Sequence, residues 1–138
     1  MNAKINIVTT QYEKKRVLDT IKQQVDANIY YKNEDLYVVY KEVEMDKPTT
    51  TTIKISDNKI SIKKFGEVNS TMNFEKGVVN KSKYRTPQGL FIIETKTREL
   101  KIDKKTENCI KLNIDYDINI MNLFNGRNKI DILLEIKE

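Results

Sequence analysis

The sequence has 138 residues, no histidine, a single cysteine and a formal net charge of +5. This length fits one domain, residues 1–138, that buries enough surface to fold without a disulfide or a structural metal. Cys109 stands alone, which excludes an internal disulfide, and no apolar run is long enough for a transmembrane helix. The N-terminal stretch MNAKINIVTTQYEKKRV also lacks a signal-peptide core, so we expect a cytoplasmic protein with no membrane contact.

Apolar and polar side chains alternate along most of the chain, which predicts strands with one buried face. In chain order the short examples are KINIV, DLYVVYKEV, TIKIS, KISIKK and VNSTMNF. The clearest is CIKLNIDYDINI, where every even position from Ile110 to Ile120 is apolar, and a similar pattern recurs from Ile130 to Ile136. About nine or ten short strands predict an all-β fold, a single antiparallel up-and-down β-barrel of about 8–10 strands.

Loop lengths agree with this meander, because directly paired residues of a hairpin face the same side of the sheet. Ile55 and Ile60 have opposite parity and need an even loop, which Asp57-Asn58 provides. Phe74 and Val78 share parity and need an odd loop, which Glu75-Lys76-Gly77 provides with a glycine at its end.

The polar stretch GVVNKSKYRTPQG, residues 77–89, then becomes a strand between two turns. The second turn is Thr86-Pro87-Gln88-Gly89, with proline and glycine at the positions favoured in a type I turn. The predicted register pairs Phe74 with Val78, and it carries three further pairs: Met72 with Asn80, Ser70 with Ser82 and Val68 with Tyr84. This register points Lys81, Lys83 and Arg85 to solvent.

Two segments leave alternatives open. Phe91 and Ile93 are odd whereas Leu100 and Ile102 are even, so we favour a bulge between them over burial of Glu94, Lys96 and Arg98. In the last hairpin, parity asks for the odd loop Met121-Asn122-Leu123, whereas Asn125-Gly126 has the composition of a two-residue turn or a bulge.

The run GEVNSTMNFEKGVVNKSKYRTPQG, with TTTTIKI before it and long alternating strands after it, resembles the YwiB-like family of small bacterial proteins. The matching positions are Gly66, Ser70, Met72, Phe74, Gly77, Tyr84, Thr86, Pro87 and Gly89. The resemblance implies a calycin-like, lipocalin-like β-barrel of a domain-of-unknown-function family and no established activity. It also implies an Asn-Gly turn near Met121-Asn122, which this chain lacks.

Two binding hypotheses follow. The first is a small ligand in the barrel interior, held by the mixed inward row Ser70, Met72, Asn80, Ser82 and Tyr84. The second is an outer basic face of Lys81, Lys83 and Arg85, joined by Lys63 and Lys64, that contacts RNA or an acidic protein. Residues 47–106 carry fourteen basic and six acidic side chains, although a codon bias toward lysine is the favoured explanation of that excess.

Nothing in the sequence predicts an enzyme, a cofactor or a metal site. Without histidine, the common catalytic triads and His-containing zinc sites cannot form. An enzyme using Tyr84, Glu94 and Arg98 inside the barrel ranks last, and Asp115 and Asp117 are expected on the solvent face. Glu42, Glu44 and Asp46 are expected to form a solvated acidic cluster at a strand end.

Overall fold

The computed structural model describes residues 1–44, 47–121 and 123–137, and the ten strands in these ranges form one antiparallel sheet. The strands are β1 (Asn2–Glu13), β2 (Arg16–Lys32), β3 (Asp35–Glu44), β4 (Lys47–Ser56), β5 (Lys59–Gly66), β6 (Ser70–Phe74), β7 (Val79–Thr86), β8 (Gly89–Thr106), β9 (Cys109–Ile120) and β10 (Phe124–Lys137). Their order is β6-β5-β4-β3-β2-β1-β10-β9-β8-β7, which makes a nearly closed up-and-down barrel as predicted.

The two terminal strands join the halves of the sheet. β1 and β10 pair over eleven residues, from Asn2 opposite Lys137 to Tyr12 opposite Arg127. We call this ladder the terminal joint. Ile5, Ile132 and Leu134 of the joint are almost completely buried, so its inner face belongs to the hydrophobic core.

The core is formed by the inward-facing alternate residues of the strands. Ile110, Leu112, Ile114, Tyr116 and Ile118 of β9 are all buried, which confirms the even-numbered apolar row. The rings of Phe74 on β6 and Tyr116 on β9 lie 4.7 Å apart, centroid to centroid, so side chains of non-adjacent strands meet in the interior. The centre of the barrel is therefore filled by side chains.

Most of the predicted turns are confirmed. Asp57-Asn58 connects β4 to β5, with Ile55 opposite Ile60, and Pro87-Gln88 connects β7 to β8. The last hairpin uses the three-residue loop 121–123, since Ile114 pairs with Ile130; Asn122 itself lies outside the described residues. The favoured bulge is also present, because the register between β8 and β9 shifts between Thr97 and Glu99.

The predicted pairing of β6 with β7 is wrong. Asn69 and Arg85 bridge the two strands through two backbone hydrogen bonds of 2.9 Å, which excludes the expected pairs of Ser70 with Ser82 and Val68 with Tyr84. The chain turns early onto β8, since Gly77 N–H donates to the Thr97 carbonyl at 2.8 Å and Thr97 N–H to that of Val78 at 3.3 Å. The barrel therefore parts between β6 and β7, a boundary we call the seam.

Two further features were not expected. β2 runs from Arg16 to Lys32, much longer than any apolar alternation in that part of the sequence. Glu42 continues the inward row of β3 and is three-quarters buried, so the prediction of a solvated cluster is wrong for this residue. Asp46 lies outside the described residues, and the side chain of Glu44 is not described.

Candidate binding surfaces of the barrel

One end of the barrel opens into a cleft of about 710 Å³. Four apolar side chains line one part of it, namely Leu36, Ile55, Leu100 and Ile102. The rim carries charged and polar side chains from the turns, among them Glu34, Asp57, Asn58, Glu75, Lys76 and Lys104. We call this space the mouth cleft, and it combines an apolar wall with a polar rim.

The mouth cleft depends on the local conformation of β8 and of two turns. The bulge between Thr97 and Glu99 changes the phase of β8, and this brings Leu100 and Ile102 to the inner side. Positive φ angles at Glu34 and Asn58 close the β2–β3 and β4–β5 turns on the opposite side of the opening. The bulge in β8 and the two turns therefore shape opposite sides of the mouth cleft.

A second concavity of about 490 Å³ follows the seam. Its lining includes five cationic side chains and no carboxylate: Lys63, Lys64, Lys81, Lys83 and Arg85. Phe65 and Leu90 also line it and are 71% and 51% exposed. We call it the seam groove, and it contains every cation of the predicted basic face.

Neighbouring carboxylates compensate part of this charge. Glu94 approaches Lys81 to 3.7 Å, and Glu42 approaches Lys64 to 4.0 Å. Within the described residues, no carboxylate lies within 4 Å of the cationic groups of Lys63, Lys83 or Arg85. These three side chains leave the groove electropositive.

The five predicted ligand-binding residues are divided among different places. Ser70 is buried and Ser82 half-buried, and both line the seam groove. Asn80 borders a smaller cleft of about 280 Å³, where its Nδ2 donates to the Asn73 carbonyl oxygen at 2.9 Å. Met72 and Tyr84 pack against the core, and none of the five lines the mouth cleft.

The residues of the predicted enzyme site are likewise separated. Glu94 pairs with Lys81, whereas Arg98 forms a forked pair with Asp117 at 2.8 to 3.0 Å on the outer face. Asp115 makes a second forked pair with Arg127, whose Nε donates at 2.8 Å. The hydrogen bonds from Arg127 hold the pKa of the Asp115 carboxyl below its usual value.

Two buried tyrosines have raised pKa values. Burial raises the pKa of Tyr40 well above its usual range, and the nearby Glu42 carboxylate adds to the effect. Burial also raises the pKa of Tyr116, and the Asn128 amide donates to its hydroxyl oxygen at 3.2 Å. Neither ring lines the mouth cleft or the seam groove.

Comparisons with known proteins place the chain in a family. The family model described as Domain of unknown function (DUF1934) matches residues 5–132. The chain belongs to this family. The crystal structure of the ywiB protein from Bacillus subtilis matches the DUF1934 barrel with a TM-score of 0.86 at 18% identity, covering 99% of this chain and 92% of that one. The predicted YwiB-like resemblance is confirmed, the structural likeness shows the fold, and no curated protein matches.

Sequence reasoning missed several buried polar atoms of this DUF1934 chain. Thr51 Oγ1, Thr97 Oγ1 and Asn128 Oδ1 are buried without a protein hydrogen bond among the described residues. Thr51 shares the inward row of β4 with Ile53 and Ile55, and Thr97 shares that of β8 with Ile93 and Thr95, so strand parity was the available signal. The described residues contain no group of three potential metal-ligating side chains and no helix long and apolar enough to cross a membrane.

Proposed function

We propose that this DUF1934 protein is a non-enzymatic binding module whose small ligand occupies the mouth cleft. The observation that supports this proposal most directly is the cleft of about 710 Å³. Its wall is formed by Leu36, Ile55, Leu100 and Ile102, and its rim by polar side chains. Small-molecule sites have volumes of roughly 300–1,000 Å³ and combine an apolar lining with a few polar groups, and the mouths of β-barrels are a frequent location.

The lining also suggests the chemistry of the ligand. An apolar wall on β3, β4 and β8 suits a ring or a short chain, and the turn residues suit a polar head group. Lys76 is paired with Glu99 at 3.3 Å and Glu75 with Lys59 at 3.8 Å, so the rim presents both signs of charge. A small amphipathic molecule fits this arrangement.

Binding without catalysis is supported by where the perturbed titratable groups lie. Such groups concentrate at catalytic sites because acid–base chemistry needs shifted pKa values. Among the described residues the shifted groups are Tyr40, Asp115, Tyr116 and Arg127, and none lines the mouth cleft.

A blocking substitution tests this proposal. We expect the amphipathic fluorophore 1-anilinonaphthalene-8-sulfonate to bind the native protein and to bind Ile102→Trp about tenfold more weakly, because the indole fills the cleft. Val17→Trp is the control, since Val17 is 52% exposed and lines neither the mouth cleft nor the seam groove. Equal binding by both variants, or no binding by the folded native protein, would contradict the proposal.

The seam groove favours a second candidate function, binding of single-stranded RNA. Its five cations attract phosphates, and exposed Phe65 offers a ring on which a base can stack. Leu90 pairs with Arg85, and exposed Ile92 pairs with Lys83, so apolar and cationic side chains adjoin on the outer face. An acidic protein would also bind the cations of the groove, but it would not need the ring of Phe65.

Fluorescence anisotropy with an oligouridine and with polyglutamate separates these partners. The double substitution Lys83→Gln/Arg85→Gln should weaken oligouridine binding. It should also reduce the slope of log K against log salt concentration by about 1.4 in magnitude, since each phosphate contact contributes about 0.7 on a single strand. Lys101→Gln/Lys111→Gln, exposed cations of β8 and β9, is the charge-matched control. Phe65→Ala should weaken binding of oligouridine but not of polyglutamate. If Phe65→Ala weakens both equally, or if neither depends on the ring, the partner is an acidic protein and not RNA. If added salt weakens neither oligouridine binding nor polyglutamate binding, both partners are contradicted.

A further inference from the structure

β2 extends far beyond the strand that flanks it. Its pairing with β1 covers Arg16 to Asn28, whereas its pairing with β3 covers only Asn28 to Lys32. From Tyr40 onward β3 pairs with β4 alone, so β2 and β3 part at this point. Among the described residues, no strand covers the β3-side edge of β2 from Arg16 to Ala27.

The hydrogen bonds between Met1 and Ile29 show which residues of β2 point their backbone groups away from β1. Ile29 exchanges hydrogen bonds with Met1, since its N–H donates at 2.8 Å and its carbonyl accepts from the N-terminal amine at 3.1 Å. Odd-numbered residues of β2 therefore point their backbone groups toward β1, and even-numbered ones point away. The free edge thus presents the N–H and C=O groups of Lys22, Gln24 and Asp26 and the C=O of Thr20, whose N–H donates to Asp19 Oδ1 at 2.8 Å.

This edge is regular and partly apolar. The irregularity in the β1–β2 register lies between Asp19 and Val17, so Asp19 to Ala27 is an uninterrupted strand. Ile21 is 43% exposed there, and Val25 is only partly buried against the core. Long exposed edges are usually protected by bulges, prolines or charges because they pair readily with other strands. Residues 19–27 contain no proline, and their three charged side chains, Asp19, Lys22 and Asp26, are of both signs.

We propose that the free edge of β2 pairs with the same edge of a second copy of this chain. In this dimer the two β2 strands are antiparallel and related by a two-fold axis perpendicular to the sheet. Directly paired residues then point their side chains to the same face, so the two residue numbers of each pair add up to an even sum. Centring the axis on Gln23 pairs Thr20 with Asp26 and Lys22 with Gln24, all residues whose backbone groups face the free edge. This ladder forms about six intermolecular hydrogen bonds, or about eight where the Thr20 N–H of each copy exchanges Asp19 Oδ1 for the second copy.

The side chains fit the same register. Ile21 of one copy meets Val25 of the other, and the symmetry creates this contact twice. Lys22 lies diagonal to Asp26 of the second copy, within reach of a long side chain. Asp26 is 85% exposed, and in the described part of the chain its one nearby cation is Lys137 at 3.8 Å. Shifting the axis to Lys22 would place two lysines directly opposite each other, which disfavours that register.

Sedimentation equilibrium over a wide concentration range tests the proposal. We expect a reversible dimer that weakens about tenfold or more in Ile21→Glu, because a carboxylate replaces an apolar contact twice. Gln24→Pro should weaken it as well, since proline removes an N–H that has no partner in the monomer and is tolerated at edges. Val17→Glu, exposed but outside the regular strand, should dimerise normally.

Circular dichroism verifies that each variant remains folded. A native protein that stays monomeric at every concentration would overturn the proposal. A dimer that survives both Ile21→Glu and Gln24→Pro, or that Val17→Glu disrupts equally, would also overturn it, because the contact would then lie elsewhere. If the protein stays monomeric and instead pairs this edge with a strand of another protein, the proposal that a second copy binds there is wrong.

Discussion

The terminal joint and the seam are two boundaries of the same barrel with opposite properties. The joint connects the two ends of the chain through eleven paired residues, yet the seam, whose strands are joined by a short turn, has one bridge between Asn69 and Arg85. Proximity along the chain therefore does not decide where the barrel closes.

The inward side chains explain this difference. The joint places Ile5, Ile7, Ile132 and Leu134 in the core, so pairing β1 with β10 removes a large apolar area from water. At the seam the inward row of β7 is Asn80, Ser82 and Tyr84, all half-buried. Because this row gains less from burial, the backbone of residues 77–78 bonds to β8 instead.

The largest expected effect comes from truncating core side chains at the two boundaries. Leu134→Ala at the joint should lower the free energy of unfolding by about 3 kcal/mol, because Leu134 is 1% exposed and its loss leaves a cavity. Met72→Ala at the seam should cost about 1 kcal/mol, since Met72 is only half-buried. Urea unfolding measures both, and equal losses would mean that the seam is packed as tightly as the joint.

Two glycines near the seam should differ in their tolerance of a side chain. Gly66 has φ +137°, and a Cβ there would lie 2.5 Å from the Pro48 carbonyl oxygen, so Gly66→Ala should cost about 2 kcal/mol or more. Gly77 has φ +80° with nothing within 4 Å of the added Cβ, so Gly77→Ala should cost about 1 kcal/mol. Thermal unfolding of the two variants compares them; a reversed order would contradict the backbone geometry of β5.

Acid should affect the side of the barrel near the joint more than the seam. The pKa of Asp115 is lowered by the hydrogen bonds from Arg127, so the pair stabilises the fold above the unfolded-state pKa of about 3.9. This contribution is lost as the pH falls through the lowered pKa. Asp115→Asn should lower neutral-pH stability by about 1 kcal/mol and flatten the acid limb of stability against pH.

Glu94→Gln is the matched control at the seam, because Glu94 is 44% exposed and lies 3.7 Å from an exposed lysine. We expect its stability profile between pH 2 and pH 7 to follow that of the native protein within a few tenths of a kcal/mol. A steeper acid dependence for the Glu94 variant than for Asp115→Asn would contradict the assignment.

The smallest expected effect concerns the side-chain bond that crosses the seam. Asn80 Nδ2 donates to the Asn73 carbonyl oxygen at an exposed position, so Asn80→Ala should cost about 0.5 kcal/mol. Ser82→Ala, on the same strand without such a bond, should be close to neutral. Differential scanning calorimetry resolves the pair, and a loss above about 2 kcal/mol for Asn80→Ala would make this bond a main support of the seam.

Much of the fold was predictable because alternation and loop parity are local properties. They predicted the β4–β5 turn, favoured the bulge in β8, and offered the three-residue loop of the last hairpin as one of two alternatives. They could not predict the parting of β6 from β7, since that depends on competition with β8 for the same backbone groups. The length of β2 was also missed, because its exposed half carries no apolar alternation.

The candidate sites were predictable to a smaller extent. Lys81, Lys83 and Arg85 face solvent, as strand parity predicted, and they line the same groove as Lys63 and Lys64. The mouth cleft was missed because its lining comes from β2–β4, β6–β7 and β8, segments far apart in sequence that meet only when the sheet curls into the nearly closed barrel. The function of either surface stays a prediction.

Native-state hydrogen exchange of backbone amides tests the difference between the two boundaries most directly. We expect amides of β1 and β10 at the joint to exchange only through global unfolding, while amides of β6 and of the β6-facing edge of β7 exchange through local opening at much lower free energy. Equal and global protection of the two boundaries would contradict this expectation, because the seam would then be closed as firmly as the joint.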